Sequence, residues 1–381
     1  MEKQALETTA GTHEAKRVLI AGASFAGLST AFWMNQLGFA VTVVEVAPNL
    51  KKGGTPVDIE GSTVATIKRM GIFDKVQANR LKMLGLEFKN ADDVTEGGMS
   101  RQTDDSAASD DCEIERDVLL EIMFDAVKDS VEFRFGNGIA SIQETPSEVT
   151  VSFKDGTRGS FDLLFGCDGN HSSVRRMHFG PEADYANFLG QYFSITIVEG
   201  SLIKENTTQM FNVPGKAAML NAYNNKTDIV LCFSSEEEIA YDYRDEAHQR
   251  LIIAEQFQGM GWRVPELLEK VESSKTFYFD KISQIKMPSW TKGRVGLVGD
   301  AAYCASPAAG MGGSLAIIGA AALRDAFANN DGQFEAAFHE YNEAFRPYLE
   351  DVQARAANNL DMLVPMTEEA IRVRNASPNP W

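Results

Sequence analysis

Cysteine and histidine are scarce in this chain of 381 residues, and neither is spaced for metal binding. The four cysteines are far apart and form no CxxC pair, and the five histidines show neither HxxxH nor HExxH spacing. Zinc sites and disulfide frameworks depend on such patterns. The sequence therefore gives no support for a metal site, a disulfide framework or metal catalysis.

Long apolar runs are also missing. Met1 to Lys16 is polar and lacks the apolar centre of a signal peptide. No later run approaches the roughly 18 apolar residues that a membrane span needs. We therefore expect a soluble, cytoplasmic protein that does not bind membranes and whose first residues form a loose tail.

Basic residues are few compared with acidic ones. Lysine and arginine number 36 against 54 aspartates and glutamates, which gives a net charge of −18. Such a field repels polyanions, so nucleic acids and anionic membranes are poor candidates as partners. With 44% hydrophobic residues the chain is too long for one ordinary core, and two domains that share an interface are expected.

The first motif that carries chemistry lies between two predicted strands. Arg17 to Ala21 is typical of a buried strand, and GASFAG, Gly22 to Gly27, follows it before an apolar-rich helix. The next strand, Ala40 to Val44, ends at Glu45, close to the spacing at which a carboxylate takes the ribose hydroxyls of a dinucleotide. Ser24 stands where the fingerprint has its second glycine. We interpret the motif as a weakened dinucleotide-binding turn; the alternative is a purely structural turn.

A second motif extends from Gly293 to Ser314 and reads GRVGLVGDAAYCASPAAGMGGS. It combines a buried strand, an acidic stop at Asp300 and a glycine-rich loop before a helix. A carboxylate at a strand end can hold a sugar-phosphate hydroxyl. Glycines before a helix leave backbone N–H groups bare, so an anion or an electron-rich ring edge can approach them along the helix dipole. Such a loop can seat a flavin, although Gly-Asp-Ala also occurs by chance in unrelated turns.

A third strand-to-turn motif repeats this design in the middle of the chain. Phe161 to Phe165 predicts a buried strand that runs into GCDGNHSSVRR, Gly166 to Arg176. Ser172 or Ser173 caps the helix that follows, and two arginines lie in its first turns. The turn suits a second phosphate contact, or it is an ordinary strand-to-helix connection with surface arginines.

Two further segments can reach the same ligand. Lys51 to Gly54 is a basic, glycine-containing loop near the proposed phosphate site, and Asp58 follows it; the alternative is a solvated surface loop. Glu115 to Lys128 carries its apolar residues on one helical face. Arg116 lies off that face, where it can point at a ligand.

The character of the chain changes between Pro181 and Met287. Aromatic and β-branched strands with polar turns predict an antiparallel sheet packed against two helices. Asn90 to Cys112 is polar and acidic and predicts a mobile loop. Gly332 to Leu360 predicts a long helix that is broken at Pro347.

In this order and at this spacing, GASFAG with Glu45, GCDGNHSSVRR and GLVGDAAYCASPAAGMGGS resemble the three signatures of the single-component, group A flavoprotein monooxygenases of the para-hydroxybenzoate hydroxylase fold. The resemblance spans nearly the whole chain. The basic loop with Asp58 and the segment IKMPSWTKGRVGLVGDAAY are most similar to tetracycline-inactivating monooxygenases. Besides Ser24, the chain departs from the pattern at Tyr303, Met311 and Ser314, where many members have histidine, glutamine and asparagine.

The resemblance implies an α/β fold in which a Rossmann-like FAD-binding domain joins a second, mainly antiparallel β-sheet substrate domain and C-terminal helices. The FAD-binding domain is expected to be discontinuous. The expected domains are 14–82, 108–180 and 288–330 for FAD binding, 83–107 and 181–287 for substrate binding, and 331–381 for the bridging helices.

By this resemblance FAD would be held along its whole length. The first glycine turn would meet the pyrophosphate, Glu45 the adenosine ribose and Asp300 the ribityl chain. Arg116 would lie on the flavin side, and Asp168 and Gly169 match a motif that serves both FAD and the transient reductant. The expected cofactor-binding residues are Gly22, Ser24, Phe25, Ala26, Gly27, Glu45, Val46, Lys52, Arg116, Asp168, Gly169, Asp300, Pro307, Gly310, Gly312 and Gly313.

The implied activity is an NADPH- or NADH-driven monooxygenation in which a flavin 4a-hydroperoxide transfers one oxygen atom of O2 to a polycyclic phenol or enol such as a tetracycline. The flavin supplies the chemistry, so no catalytic side chain is assigned. Candidates for the wall of a cavity for a flat molecule are Tyr192, Met210, Met219 and Tyr223, unless they simply fill the core. A monomer is expected.

Other functions stay open at this point. One is an FAD-dependent hydroxylase of another aromatic polyketide or phenol. A flavin-dependent reductase or halogenase would use the same fold, although the tryptophan-rich motif of halogenases is missing and only Trp262 stands in the GWR segment. The last is a non-catalytic flavoprotein that binds a planar ligand, and substrate binding without stimulated NAD(P)H oxidation would favour it.

Overall fold

The first strand forms where the sequence predicts it, because four of the five residues of Arg17–Ala21 are apolar and buried. The structure is a computed structural model that describes residues 15–100 and 109–377. The expected N-terminal tail and part of the expected loop between Asn90 and Cys112 lie outside the described residues. The strands are β1 (Arg17–Ala21), β2 (Ala40–Glu45), β3 (Val57–Ile59), β4 (Gly85–Lys89), β5 (Thr95–Ser100), β6 (Cys112–Ile114), β7 (Glu132–Phe135), β8 (Ile139–Glu144), β9 (Val149–Phe153), β10 (Arg158–Phe161), β11 (Leu163–Gly166), β12 (Ala186–Glu199), β13 (Thr207–Val213), β14 (Lys216–Tyr223), β15 (Lys226–Ser234), β16 (Phe277–Ile285), β17 (Thr291–Lys292) and β18 (Val295–Leu297).

Several helices begin at side-chain caps that satisfy a free backbone N–H group. The Ser172 hydroxyl accepts from the backbone N–H of Arg175, and the Asp245 carboxylate accepts from that of His248. The helices are α1 (Phe25–Gln36), α2 (Ser62–Arg69), α3 (Phe73–Ala78), α4 (Arg116–Asp125), α5 (Ser173–His178), α6 (Glu246–Phe257), α7 (Val264–Ser273), α8 (Asp300–Tyr303), α9 (Gly312–Asn329), α10 (Phe334–Leu363) and α11 (Glu368–Asn375).

A six-stranded sheet has the order β17-β18-β11-β1-β2-β7 and is parallel except for β17. In its register Ala21 pairs with Val44 and Gly166, and Gly166 pairs with Leu297. The carboxyl ends of these strands therefore lie side by side at one edge of the sheet. This sheet shares one apolar core with α1, α9 and much of α10, to which Trp33, Phe165 and Tyr341 contribute.

A seven-stranded sheet has the order β16-β12-β15-β14-β13-β4-β5 and is antiparallel apart from the parallel pair of β13 and β4. Its two faces have different partners. One face carries Tyr192, Leu220 and Leu231, which pack against α6 and α7. The other face carries Phe193 and Ile282, among others, which pack against the end of α10.

The predicted α/β architecture is confirmed, with a mainly parallel sheet, a mainly antiparallel second sheet and C-terminal helices. Two small sheets, β10-β9-β8 and β3-β6, complete the strands. Within the part of the chain that the structure describes, no helix is both long and apolar enough to cross a bilayer. The proposed domain boundaries stay a prediction.

Two local predictions were wrong. Part of the expected loop forms β5, which pairs with β4; Gly97 lies so close to the backbone carbonyl of Asn375 that a side chain would collide with it. The helix expected to break at Pro347 continues as α10. Proline removes one helical hydrogen bond, which leaves the carbonyl of Glu343 free, and because Glu343 is exposed, water can bind this carbonyl.

Candidate active site

Three of the sequence motifs meet at the carboxyl edge of the parallel sheet. Gly22 follows β1, Asp168 follows β11 and Asp300 follows β18, while Glu45 ends the neighbouring strand β2. Adjacent strands are about 4.8 Å apart, so the four positions form a row along this edge. In open α/β sheets ligands bind outside the carboxyl ends of the strands. The edge is therefore the place to look for a site.

The turn after β1 requires glycine at two positions. Gly22 has a φ of +105°, and a Cβ atom there would collide with the carbonyl oxygen of Cys167. A Cβ atom on Gly27 would collide with the carbonyl oxygen of Gly22. The turn therefore stays tight, and α1 begins beside it with its free N–H groups at the edge of the sheet.

Ser24, which replaces a glycine of the fingerprint, is the N-terminal cap residue of α1 but makes no side-chain cap bond. Its hydroxyl instead accepts a hydrogen bond of 3.2 Å from Nη2 of Arg116. Nη1 of Arg116 donates to the carbonyl of Lys51 at 3.2 Å, and the guanidinium lies 5.2 Å from the ring centre of Phe25. A positive charge is thus fixed next to the first turn of α1, where an anion is favoured.

Glu45 holds the backbone around the end of β2. One carboxylate oxygen accepts from the N–H of Ala23 and the other from that of Ala47, each at 2.8 Å. An ionised carboxylate offers about four acceptor positions, so the side chain retains capacity for ribose hydroxyls. The next residue, Val46, is 64% exposed and forms the rim of this region.

Asp168 organises the turn after β11. Its carboxylate accepts from the hydroxyl and N–H of Ser173, both at 2.7 Å, from the N–H of Val174 at 3.1 Å and from the Ser172 hydroxyl. These bonds cap α5. Gly169 has a φ of +79° and no neighbour in the direction of a side chain, so its backbone is open to a ligand.

Asp300 begins α8 directly after β18 and is half-buried. Burial raises the pKa of its carboxyl group to about 6, and Cys304 and Arg116 oppose this rise. The loop that follows contains the turn Pro307–Ala309 and leads to Gly312, the first residue of α9. Gly310 and Gly312 have open space where a side chain would project, whereas a Cβ atom on Gly313 would lie 2.9 Å from Val57.

The residues at this edge fit FAD. Two helices with free N-terminal N–H groups, α1 and α9, start at glycine-containing segments beside it, and an arginine and carboxylates lie between them. Such N-termini bind phosphate and electron-rich groups. The side chains that would project into this space are absent at Gly310 and Gly312, which leaves backbone accessible to a flat ring.

Lys52 forms an exposed ion pair, and its predicted contact with the cofactor stays a prediction. Its ammonium group pairs with Glu121 of α4 at 2.5 Å, and both side chains are exposed. The adjacent glycines pack closely against other parts of the protein. A Cβ atom on Gly54 would lie 2.7 Å from Cδ of Arg116, and one on Gly53 would lie 3.3 Å from the methyl group of Thr276. The loop therefore bridges Arg116 and the seven-stranded sheet.

One face of the seven-stranded sheet is turned toward the glycine-rich loop, and we call it the wall. The register places Tyr278, Ile195, Val230 and Met219 in one row across β16, β12, β15 and β14. Ile195 and Met219 are half-buried and Tyr278 is 42% exposed, so this apolar row is incompletely covered. Ala308 of the glycine-rich loop packs beside this face.

The four sequence-predicted substrate residues have different positions relative to the wall. Met219 lies in the row, and Met210 extends it onto β13 but is buried beneath Arg374. Tyr223 lies on the same face at its margin, where its hydroxyl donates to Asp228 at 3.0 Å. Tyr192 lies on the opposite face, where its hydroxyl accepts from the N–H of Ile239 in the core under α6 and α7.

Sequence reasoning missed Ile195 and Tyr278 as wall residues and did not separate Phe193 from Tyr192. Strand alternation separates Phe193 from Tyr192, but only the position of α6 and α7 decides which of the two faces is covered. A register shift between Phe188 and Gln191 also obscures the alternation. Two signals together could have identified these residues. The helical pattern of α6 and α7 predicts that one face of the sheet is covered, and the alternation of side chains along each strand predicts which residues lie on the other face.

These features define a dinucleotide-binding flavoprotein fold with a second sheet above its cofactor edge, and comparison with known proteins agrees. The family model described as "FAD binding domain" matches residues 15–352. A flavin-dependent monooxygenase from an unknown prokaryotic organism is 34% identical over 346 residues, with 89% of this chain and 88% of the relative covered. An uncharacterized protein of Mycobacterium tuberculosis is 33% identical over 357 residues, with 93% and 96% covered.

Solved structures give the same result. The tetracycline destructase Tet(51) superposes with a TM-score of 0.85 at 34% identity and covers 95% of both chains. The tetracycline destructase Tet(55) superposes with a TM-score of 0.83 at 33% identity and covers 95% of this chain and 94% of its own. The chain therefore belongs to the FAD-binding-domain family, and it is an FAD-dependent monooxygenase that resembles two tetracycline destructases in structure.

Proposed function

We propose that this protein uses NADPH or NADH to reduce its FAD and inserts one atom of O2 into a polycyclic phenol or enol such as a tetracycline. The balance is one NAD(P)H, one proton, one O2 and one substrate, giving NAD(P)+, water and the oxygenated product. The enzyme would act as a cytoplasmic monomer. The observation that carries the proposal is the half-covered apolar wall opposite the glycine-rich loop.

The residues proposed to hold FAD are those of the strand edge. The tight turn at Gly22 and Gly27 would receive the pyrophosphate, with Ser24 and Arg116 beside it. Glu45 and Asp300 are proposed to bind the ribose and the ribityl chain. Lys52 is left out of the phosphate contacts, since Glu121 already pairs with it.

The protein itself would supply shape and orientation. FAD, when bound, supplies electron transfer and the activation of oxygen. The wall would exclude water from the reacting face and hold a flat substrate against the glycine-rich loop. A row of Tyr278, Ile195, Val230 and Met219 offers dispersion and hydrophobic contact to a ring system and carries no formal charge.

The likeness to the two tetracycline destructases supports a tetracycline as the first substrate to test. Among the described residues of the wall row there is no charged side chain that would reject a different polycyclic phenol. The apolar row therefore supports the class of flat polycyclic compounds, and the relatives support one member of that class.

The test is oxidation of NADPH and of NADH by the purified, FAD-loaded protein in air, with and without tetracycline, followed by mass spectrometry of the drug. We expect tetracycline to stimulate oxidation and to gain one oxygen atom, and labelled O2 should supply that atom. Wild-type protein under argon is the control for oxygen dependence. Unstimulated oxidation with unchanged drug mass would refute the tetracycline assignment.

A further inference from the structure

Tyr278 is a partly exposed residue whose hydroxyl group is hydrogen-bonded within the protein. It lies on β16 in the wall row, directly opposite Ile195, and the residue is 42% exposed. Its hydroxyl donates to Oδ2 of Asp280 at 2.9 Å. Because the hydroxyl group already donates to Asp280, the ring is the part of the side chain that a ligand can contact.

Asp280, the acceptor, is only 2% exposed and is surrounded by donors. Besides Tyr278, it accepts from Tyr241 at 2.7 Å, from Nδ2 of Asn170 at 3.3 Å and from Nε2 of His171 at 3.1 Å. Burial opposes its charge, but the bonds from His171 outweigh burial and lower the pKa of Asp280. The carboxylate is therefore a fixed acceptor at neutral pH.

The other groups of this network keep the arrangement rigid. His171 lies between Asp280 and Glu182, whose nearer oxygen is 3.0 Å from Nδ1. Burial disfavours the imidazolium, but the two carboxylates outweigh burial and raise the pKa of His171 to about 9. Burial and the neighbouring Asp280 raise the pKa of Tyr278 well above its usual value, so the phenol stays protonated and serves as a donor only.

The loop that contains Gly53 approaches β16 close to Tyr278 in the chain. Thr276 lies two residues earlier on the same face of the chain, and a Cβ atom on Gly53 would lie 3.3 Å from its methyl group. On the other side the ring centre of Tyr278 is 5.6 Å from that of Phe193. Tyr278 therefore lies on β16 between Thr276, which the Gly53 loop approaches, and the apolar centre of the wall.

We propose that Tyr278 is a specificity-determining residue whose ring packs against the flat face of a polycyclic substrate, and that Asp280 is the positioning residue that holds this ring. The proposal rests on the proposed function, because it requires that a planar compound occupies the space beside the wall. Aromatic pairs in offset-stacked or edge-to-face geometry gain binding energy beyond that of the area they bury. Tyr278 would thus select for aromatic character in the substrate rather than take part in proton transfer.

The experiment measures equilibrium binding to the FAD-loaded protein, without reductant, by dialysis. Two probes are used: chlortetracycline and the anthraquinone emodin. Tyr278→Leu should weaken binding about tenfold, the amount that an aromatic pair contributes. Tyr278→Phe keeps the ring and should weaken binding by less than about threefold.

Tyr241→Phe is the matched control. Tyr241 also donates to Asp280, but its ring packs edge-on against Phe279 on the opposite face of the sheet. Tyr241→Phe removes a donor to Oδ1 of Asp280 and leaves the bond from Tyr278 to Oδ2 in place, so the dissociation constants should stay at the wild-type values. In turnover, Tyr278→Leu should raise KM with little change in kcat.

The outcomes separate this inference from the proposed function. If the wild type binds emodin but not chlortetracycline, the tetracycline assignment fails while Tyr278 is still tested with emodin. Wild-type affinity in Tyr278→Leu, an equal loss in Tyr241→Phe, or no binding of either probe by the wild type would overturn the role of Tyr278. If Tyr278→Leu does not retain FAD, Tyr278→Ile replaces it with a saturated side chain that suits a strand, and the same loss is expected.

Discussion

The ionised carboxylate of Asp300 destabilises the FAD-free protein because burial disfavours its charge. The same carboxylate is proposed to bind FAD, so removing its charge should stabilise the protein and weaken cofactor binding. Burial raises the pKa of its carboxyl group from 3.8 to about 6. The folded protein therefore binds this proton more tightly than the unfolded chain does. The stability that the protonated group contributes is fully present below pH 3.8 and is lost as the pH rises through 6.

The size of the effect follows from the two pKa values. At pH 7.5 ionised Asp300 costs the FAD-free protein about 3 kcal/mol, and at pH 4.5 it costs about 1 kcal/mol. Asp300→Asn removes the charge and keeps the shape. We therefore expect the FAD-free variant to be more stable than the wild type by these amounts, and to bind FAD more weakly because the proposed contact with the ribityl chain is changed.

The assay is urea unfolding of both FAD-free proteins at pH 4.5 and pH 7.5, followed by tryptophan fluorescence, with FAD affinity measured separately. Asp325 provides the control: burial raises the pKa of its carboxyl group, but the bonds from Arg69 and Arg324 outweigh burial and lower it. Asp325→Asn should therefore not stabilise the protein at pH 7.5. A stabilisation by Asp300→Asn that is the same at both pH values would refute the reasoning.

Two further predictions concern the turns beside this site. Gly22→Ala should destabilise the protein by about 2 kcal/mol in urea unfolding, because φ is +105° and the added methyl group meets the carbonyl of Cys167; an unchanged midpoint would contradict this. His171→Gln should lower the free energy of unfolding mainly below pH 9. The folded state raises the pKa of His171 from 6.5 to about 9, which stabilises the protein by up to about 3 kcal/mol. This stabilisation is complete below pH 6.5 and is lost as the pH rises through 9. The check is the difference in urea midpoint at pH 6.5 and pH 9.5, and a difference independent of pH would count against an imidazolium between two carboxylates.

The nucleotide-binding elements could be predicted because their signals are local. A buried strand, a turn that needs glycine and a helix start lie within a few residues of one another at Gly22 and at Asp300. The register then brings them together through the ordinary geometry of a parallel sheet. The assignment of individual residues to FAD stays a prediction, although the fold that carries them is confirmed.

The parts that the sequence did not reveal depend on distant partners. The ion pair of Lys52 was not evident because its partner Glu121 lies on α4, far along the chain. β5 looked like a loop because the fit of Gly97 against the backbone of Asn375 could not be foreseen from the neighbouring residues. Tyr278 was overlooked because nothing in its immediate sequence distinguishes it from Tyr192, which lies under the helices.

The order of strands in the parallel sheet has a consequence for how the chain folds during synthesis. β1 is near the N-terminus and pairs early with β2, but its other neighbour, β11, begins at Leu163, and β18 beyond it begins at Val295. Long-range parallel pairing is slow because the entropy of closing a long loop is lost before the stabilising contacts between the strands form. One backbone edge of the apolar strand β1 therefore remains unpaired while most of the chain is still being made. In this interval the nascent protein is most exposed to aggregation and most dependent on chaperones.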